Sequence, residues 1–373
     1  MSVEYHESMQ ITRSFTFCPN AFRIDMYRGC DFGCKYCFAN MEMFNEQEET
    51  KWREARFEKI ERRFKTALET DTESKDILVE LLRHRVPLHC GGMSDPFQSR
   101  EWELGLTKRL IELSNKYHYP ICFSTKTAYL PEEYFEILNP EIHAFQVSIM
   151  GWDDDYVRKW ESNTPTAKER FDFVQQLRGR GFWTAIRIQP VINIQQVMKL
   201  CYNIKNKCDY VTVEHFKMIY DTTEGLKAFW ELCDNKQDFI LFAGRLETRR
   251  DVKIRNIEII KRILNGKVKV GVGDNDLHYL SDTRCCCGID TINKNFDNYL
   301  KYNLTYMATG DLEKDTFIPK CNPRKHINDQ KYGLVIDCKQ YVEDYIHLHP
   351  DYIGPRRQDV EKELFGISQR RIF

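Results

Sequence analysis

A chain of 373 residues, 42% apolar and 30% charged with a formal net charge of −1, can build one large α/β domain with an appendage or two ordinary domains. It has no run of eighteen apolar residues and no charged-then-apolar leader, which argues against a membrane span or signal peptide and for a soluble cytoplasmic protein. The near-neutral balance gives no support to a whole-molecule field that would draw in nucleic acid and leaves a local basic patch open; fourteen cysteines without a secretion signal read as metal ligands, redox groups or buried small side chains, not as disulfides.

After a polar N-terminal segment over residues 1–20, "NAFRIDMY" reads as a first strand that feeds a cysteine-rich loop, and the charged stretch from about Glu46 to Lys75 reads as helix. Short apolar runs then alternate with longer amphipathic ones: "VPLHC" and "EWELGLTKRLIELSNKY", "YPICFST" and "PEEYFEIL", "IHAFQVSIM" and "TAKERFDFVQQLRGRG", "FWTAIRIQPVI" and "IQQVMKLCYNI", then "DYVTVEHFKM". Six strands separated by helical crossovers predict a parallel α/β sheet, since parallel neighbours need long right-handed connections. No Gly-x-Gly-x-x-Gly turn follows the first strand, so a barrel-like curved sheet is favoured over an open dinucleotide-binding one. The rhythm breaks near residue 220. That sets a core over 21–220 and an α+β extension over 221–373, with the strand-like "VKVGVG" and the triplet Cys285-Cys286-Cys287.

The loop "MYRGCDFGCKYCFAN" sets Cys30, Cys34 and Cys37 within eight residues. Thiolates bind iron–sulfur clusters and zinc. A structural zinc would need a fourth ligand from Cys18, Cys90 or a later cysteine; a cluster held by three cysteines instead keeps one iron open for chemistry.

"CDFGCKYCF" preceded by "YRG" resembles the cluster loop of radical S-adenosylmethionine (SAM) enzymes, in which three cysteines hold a 4Fe-4S cluster and the fourth iron chelates SAM. The resemblance implies a partial (β/α)6 TIM-like barrel, reductive cleavage of SAM to a 5′-deoxyadenosyl radical that abstracts a substrate hydrogen, an oxygen-sensitive cluster, and a reducing partner such as flavodoxin or ferredoxin. It also implies cofactor contacts from Tyr36 and Phe38 and from Gly91 and Gly92, although Met93 stands where the family has an acid. The order "YRGC", "SDPFQ", "STKT", "VSI", "WESNTP" is similar to the spore photoproduct lyase and DNA-repair-photolyase-like subgroup. That likeness implies SAM contacts from Ser94, Lys126 and Ser148, with Asp95, Glu161 and Arg170 nearby. Asp95 also reads as a turn residue, and Glu161 and Arg170 as a solvated helix start.

The substrate is less legible. The subgroup likeness implies a nucleobase or nucleotide in DNA or RNA, for repair or modification; a peptide or small metabolite is the rival, and a non-catalytic zinc or iron–sulfur protein a third reading. Cys90, two residues from where the lyase carries its hydrogen-returning cysteine, reads as a hydrogen donor or as a buried structural thiol. "GRLETRRDVKIR" holds five basic and two acidic residues, making Arg249 and Arg250 candidate substrate contacts and otherwise an ordinary solvated face. His215 ends a strand toward the barrel rim. Cys285, Cys286 and Cys287 with Cys321 form a candidate second metal site for an iron–sulfur cluster or zinc, against a structural group of thiols.

Overall fold

The computed structural model describes residues 3–5, 8–11, 22–39, 52–71, 74, 76–219, 223–242, 245–274, 277, 280–283 and 285–297; Cys321 lies outside them. In chain order the strands are β1 (Val3–Tyr5), β2 (Met9–Ile11), β3 (Phe22–Ile24), β4 (Tyr27–Arg28), β5 (Arg53–Ala55), β6 (Leu88–Cys90), β7 (Ile121–Thr125), β8 (His143–Ser148), β9 (Thr184–Val191), β10 (Tyr210–His215), β11 (Lys217–Ile219), β12 (Phe239–Phe242), β13 (Arg245–Thr248) and β14 (Lys269–Val272). Eight of them form one sheet in the order β14-β10-β9-β8-β7-β6-β3-β2. All its neighbours are parallel except the edge pair β2 and β3. This is the expected partial TIM-like barrel. β7 and β8 are buried at every residue, as strands covered on both faces must be.

Helices fill the crossovers. Ala167–Gly179 starts on a capping box in which Thr166 accepts from the Glu169 amide and Glu169 accepts from the Thr166 amide, an arrangement that contributes about 1 kcal/mol. The outer layer is aromatic: Phe97, Phe123 and Phe145 pack with ring centroids 5.5–6.3 Å apart.

Three local expectations are corrected. The stretch expected as helix from Glu46 to Lys75 contains β5, and its described helix spans Phe57–Glu69. The helix expected over 101–117 is two, Ser99–Leu104 and Leu106–Tyr117, parted at Gly105. Beyond residue 220, β14 pairs in parallel with β10, Tyr210 opposite Lys269 through Val213 opposite Val272, so the extension supplies a seventh parallel strand to the barrel sheet.

The extension also reaches under the barrel. Tyr210 donates from its hydroxyl to the Cys285 carbonyl at 2.8 Å, Thr212 to the Cys286 carbonyl at 3.0 Å and Gln146 to the Cys287 carbonyl at 3.0 Å. Gly271 makes this approach possible: a Cβ there would sit 2.3 Å from the Cys286 carbonyl oxygen and 2.4 Å from the Tyr210 hydroxyl, inside van der Waals contact.

Candidate active site

β3 and the short β4 deliver the cysteine loop to the end of the barrel where the parallel strands finish, the rim at which such sheets bind ligands. The loop backbone is held from two sides. On one, Gln98 donates to the Gly29 carbonyl at 3.1 Å and accepts from the Asp31 amide at 3.2 Å, while Asp31 accepts from the Ser99 amide at 2.9 Å. On the other, the Lys35 amide donates to the Trp160 carbonyl at 2.9 Å, Asn163 to the Asp31 carbonyl at 2.9 Å, and Cys34 forms an isolated bridge with Glu161. Inside the loop the Cys37 amide turns back on the Cys34 carbonyl at 3.1 Å.

Burial pushes the Cys30 thiol up to about 12, with Asp95 adding to it. Burial also raises Cys34 well above the ordinary thiol value, against the pull of Lys126. Positive charge from a metal centre reverses that preference. Among the described residues no three His, Cys, Asp or Glu side chains converge on one metal ion; the thiols around a multi-iron cluster bind separate corners and need not converge. Three thiols on one short loop are a donor set that suits a cluster held by three cysteines.

Behind the loop lies a buried charged group. Glu161 is fully buried, 2.8 Å from Arg170 and 3.9 Å from Lys126, and accepts a hydrogen bond from Tyr36. Burial alone would raise its carboxyl, yet Arg170 and Lys126 hold it below the usual range. Arg170, also fully buried, donates to the Ser148 carbonyl at 2.7 Å. Far from being a solvated helix start, Glu161 and Arg170 join the cysteine loop to the end of β8.

Gly91 and Gly92 follow β6. Gly91 has φ +101°, and a Cβ on it would lie 2.2 Å from the Ser124 carbonyl oxygen, so only glycine fits. The Met93 amide donates to buried Asp25 at 2.8 Å. Ser94 donates to the Tyr27 carbonyl at 2.6 Å. Asp95 accepts from the Phe97 amide at 2.9 Å, the Thr125 hydroxyl at 2.7 Å and the Lys126 amide at 2.6 Å; burial pushes its carboxyl up to about 6. It ties the loop after β6 to the end of β7. Phe38 is 55% exposed.

The remaining candidates lie apart. Cys90 is fully buried in the main core, on the face of β6 opposite His89. His215 is buried with its Nδ1 2.6 Å from Asp274, and Lys253 stands 3.6 Å from the same carboxylate. Of the basic segment, Lys253 also reaches Glu247 at 3.3 Å, Arg255 reaches Asp238 at 3.8 Å, and Arg249 bonds Asp251 at 2.8 Å; Arg250 opens the helix Arg250–Leu264. Much of that charge is answered within the protein. Cys285 is buried against Cys122, Ala144, Ile289 and Phe296, and the Cys286 and Cys287 sulfurs are 3.7 Å apart.

A second polar group was not foreseen. Inside the barrel His89, Ser124, Gln146 and Arg187 are hydrogen-bonded across four successive strands. Polar residues on the same face of neighbouring, largely apolar strands were the available signal.

Residues 24–201 match the sequence model of the Radical SAM superfamily. With the barrel and the three-cysteine loop, the chain carries a radical SAM domain. Its fold is similar to spore photoproduct lyase: the lyase complexed with dinucleoside spore photoproduct superposes with a TM-score of 0.53 at 14% identity, covering 69% of this chain and 77% of that one. A mutant of the lyase with bound AdoMet and the dinucleoside gives 0.50 at 15%, covering 66% and 74%. Uncharacterised proteins of Mycobacterium bovis and Mycobacterium tuberculosis are each 24% identical over 185 residues, 47% of this chain. The chain spans about half the length of these curated relatives, 50% of each. Among the described residues no helix is long and apolar enough to cross a membrane.

Proposed function

We propose that this protein is a radical SAM enzyme in which Cys30, Cys34 and Cys37 hold a 4Fe-4S cluster, acting on a nucleobase or nucleotide in DNA or RNA. The observation that carries the reading is the cysteine loop, three thiols whose backbone is fastened on both sides to the rim of a parallel barrel. Held by Cys30, Cys34 and Cys37, such a cluster would supply the one-electron chemistry for reductive cleavage of SAM and hydrogen abstraction from a substrate.

The protein's own residues hold and shield the reactants. Gly91 and Gly92 present bare backbone for close approach, and Ser94, Lys126 and Ser148 offer polar groups at the strand ends. Lys126 is held above its ordinary value despite burial because Cys34 and Glu161 face it, so it brings positive charge to the cysteine loop. Glu161 positions Lys126 and Tyr36; Arg170 positions Glu161. Phe38, exposed beside the loop, can cover the cofactor. Support for the substrate class comes from the fold likeness to a lyase bound to a dinucleoside photoproduct. A flavodoxin or ferredoxin is the matching electron donor.

Anaerobic reconstitution tests the chemistry. About four irons per chain and 5′-deoxyadenosine on reduction with SAM are expected; zinc with no SAM cleavage would overturn the reading. Salt-dependent binding to oligonucleotides tests the substrate class, and no binding at low salt would remove it.

A further inference from the structure

Arg187, in the middle of β9, points into the barrel. It donates to the Ser124 hydroxyl at 2.8 Å, contacts His89 Nε2 at 3.5 Å and donates to the Gln189 side chain. All three partners are neutral. The nearest carboxylate in this chain of contacts, Glu214, is bonded to Gln189 and Lys217 instead. Among the described residues no carboxylate lies within ion-pair distance of Arg187, and its Nε is buried with no hydrogen-bond partner. Arg187 is half-buried, and a guanidinium partly withdrawn from water without a counter-charge gains from an anion that completes it.

The surroundings are suited to an anion. His89 Nε2 lies 2.6 Å from the Ser124 hydroxyl; burial, then Arg187, pushes the imidazole down to about 4, leaving it neutral at pH 7. Arg23 of β3 is in register with His89, but its guanidinium is answered by Asp25 at 3.7 Å and Gln10 at 2.9 Å, so Arg187 carries the free charge of this group. Ser124 and Gln146 lie two residues before Lys126 and Ser148, which sets this group about 6–7 Å deeper than the strand ends. Below it, the carbonyls of Cys286 and Cys287 are fixed by Thr212 and Gln146, so the chamber has a floor.

We propose that Arg187, flanked by His89 and Ser124, is an oxyanion subsite in the barrel chamber that takes a phosphoryl or carboxylate group of the substrate, beneath the SAM position. The inference names substrate chemistry for the radical SAM reading and rests on it for the word substrate. Arg187 provides charge and a planar fork, and Ser124, which accepts from it, and His89 beside it orient the fork.

Thermal unfolding of the full, anaerobically reconstituted chain tests it, in rising inorganic phosphate or acetate with ionic strength held constant by chloride. In the wild type, Tm rises with at least one anion. In Arg187→Gln the apparent affinity falls roughly tenfold to a hundredfold, the loss expected for a charge-assisted hydrogen bond, and Arg187→Lys restores part of it. A response to phosphate alone identifies a phosphoryl group, to acetate alone a carboxylate, and to both an undiscriminating oxyanion site. No response in the wild type, or an equal response in Arg187→Gln, overturns the proposal. If Arg187→Gln does not fold, His89→Gln is read in its place: a several-fold loss supports the subsite and an unchanged affinity refutes it. Wild-type protein that binds anion but cleaves no SAM refutes the proposed function alone; protein that cleaves SAM but binds no anion refutes the subsite alone.

Discussion

Removing the Glu161 carboxylate tests how the cysteine loop is held. Glu161 is fully buried against Arg170 at 2.8 Å and Lys126 at 3.9 Å, so Glu161→Ala strands a fully buried guanidinium and removes the partner of a half-buried ammonium. Breaking a buried pair from one side costs about 3–5 kcal/mol, a large share of the roughly 5–15 kcal/mol that holds a native protein folded. With m about 4 kcal/mol/M for a chain of this size, the urea midpoint falls by roughly 1 M. Glu161→Gln separates charge from shape, because it keeps a side-chain oxygen for Tyr36 but leaves Arg170 uncompensated. It is expected to lose most of the same stability and to retain less iron after reconstitution. Urea unfolding followed by circular dichroism, with iron counted on the same samples, measures both. If Glu161→Gln unfolds at the wild-type midpoint with full iron, the buried charge group does not secure the loop and the reasoning fails.

The pair His215 and Asp274 predicts an acid-side dependence. Burial alone would raise Asp274, but His215 and Lys253 hold it well below the usual carboxylate range, so its contribution is present above the unfolded value of about 3.9 and drains away as pH falls below about 4. Asp274→Asn should cost about 3–5 kcal/mol at pH 7 and flatten the acid limb of a urea-midpoint profile; an unaltered profile would count against the assignment. Gly271→Ala drives a methyl into the Cys286 carbonyl and should cost about 1–3 kcal/mol, seen as a lower Tm; an unchanged Tm would mean the floor shifts without cost. Replacing Cys285, Cys286 and Cys287 together by Ala should leave the iron count unchanged, since the chain uses their carbonyls to close the barrel; a loss of about four irons would establish a second cluster there.

The β/α alternation was legible because β7 and β8 are apolar runs of the right length and the crossovers carry amphipathic periods, as in Leu106–Tyr117, which buries Leu106, Leu110, Ile111 and Leu113. The cysteine loop was legible because its information is local. What escaped depends on distant partners. "VKVGVG" reads as a strand, but nothing in it says that it pairs with β10. The triplet near residue 286 drew attention to its thiols, whereas its position is fixed by backbone carbonyls, which every residue type carries. The family likeness put Glu161 and Arg170 near SAM, but their pairing with each other and with Lys126 left no mark in a sequence window. The chamber residues could have been found: His89, Ser124, Gln146 and Arg187 each interrupt an apolar strand at a position facing the same side, a period-two signal weaker than the apolar pattern around it.

The floor of the chamber also bears on when the fold can be completed. Gln146 meets the Cys287 carbonyl across 141 residues of sequence, and β10 waits for β14 to cover its outer edge. During synthesis, the strands through β10 emerge with that edge open and the base of the barrel exposed, a state prone to mispairing. Such distant contacts slow folding because the intervening loop must close before they form. Chains cut near residue 220 would lack both edge strand and base, so the apparent boundary there is a poor place to divide the protein.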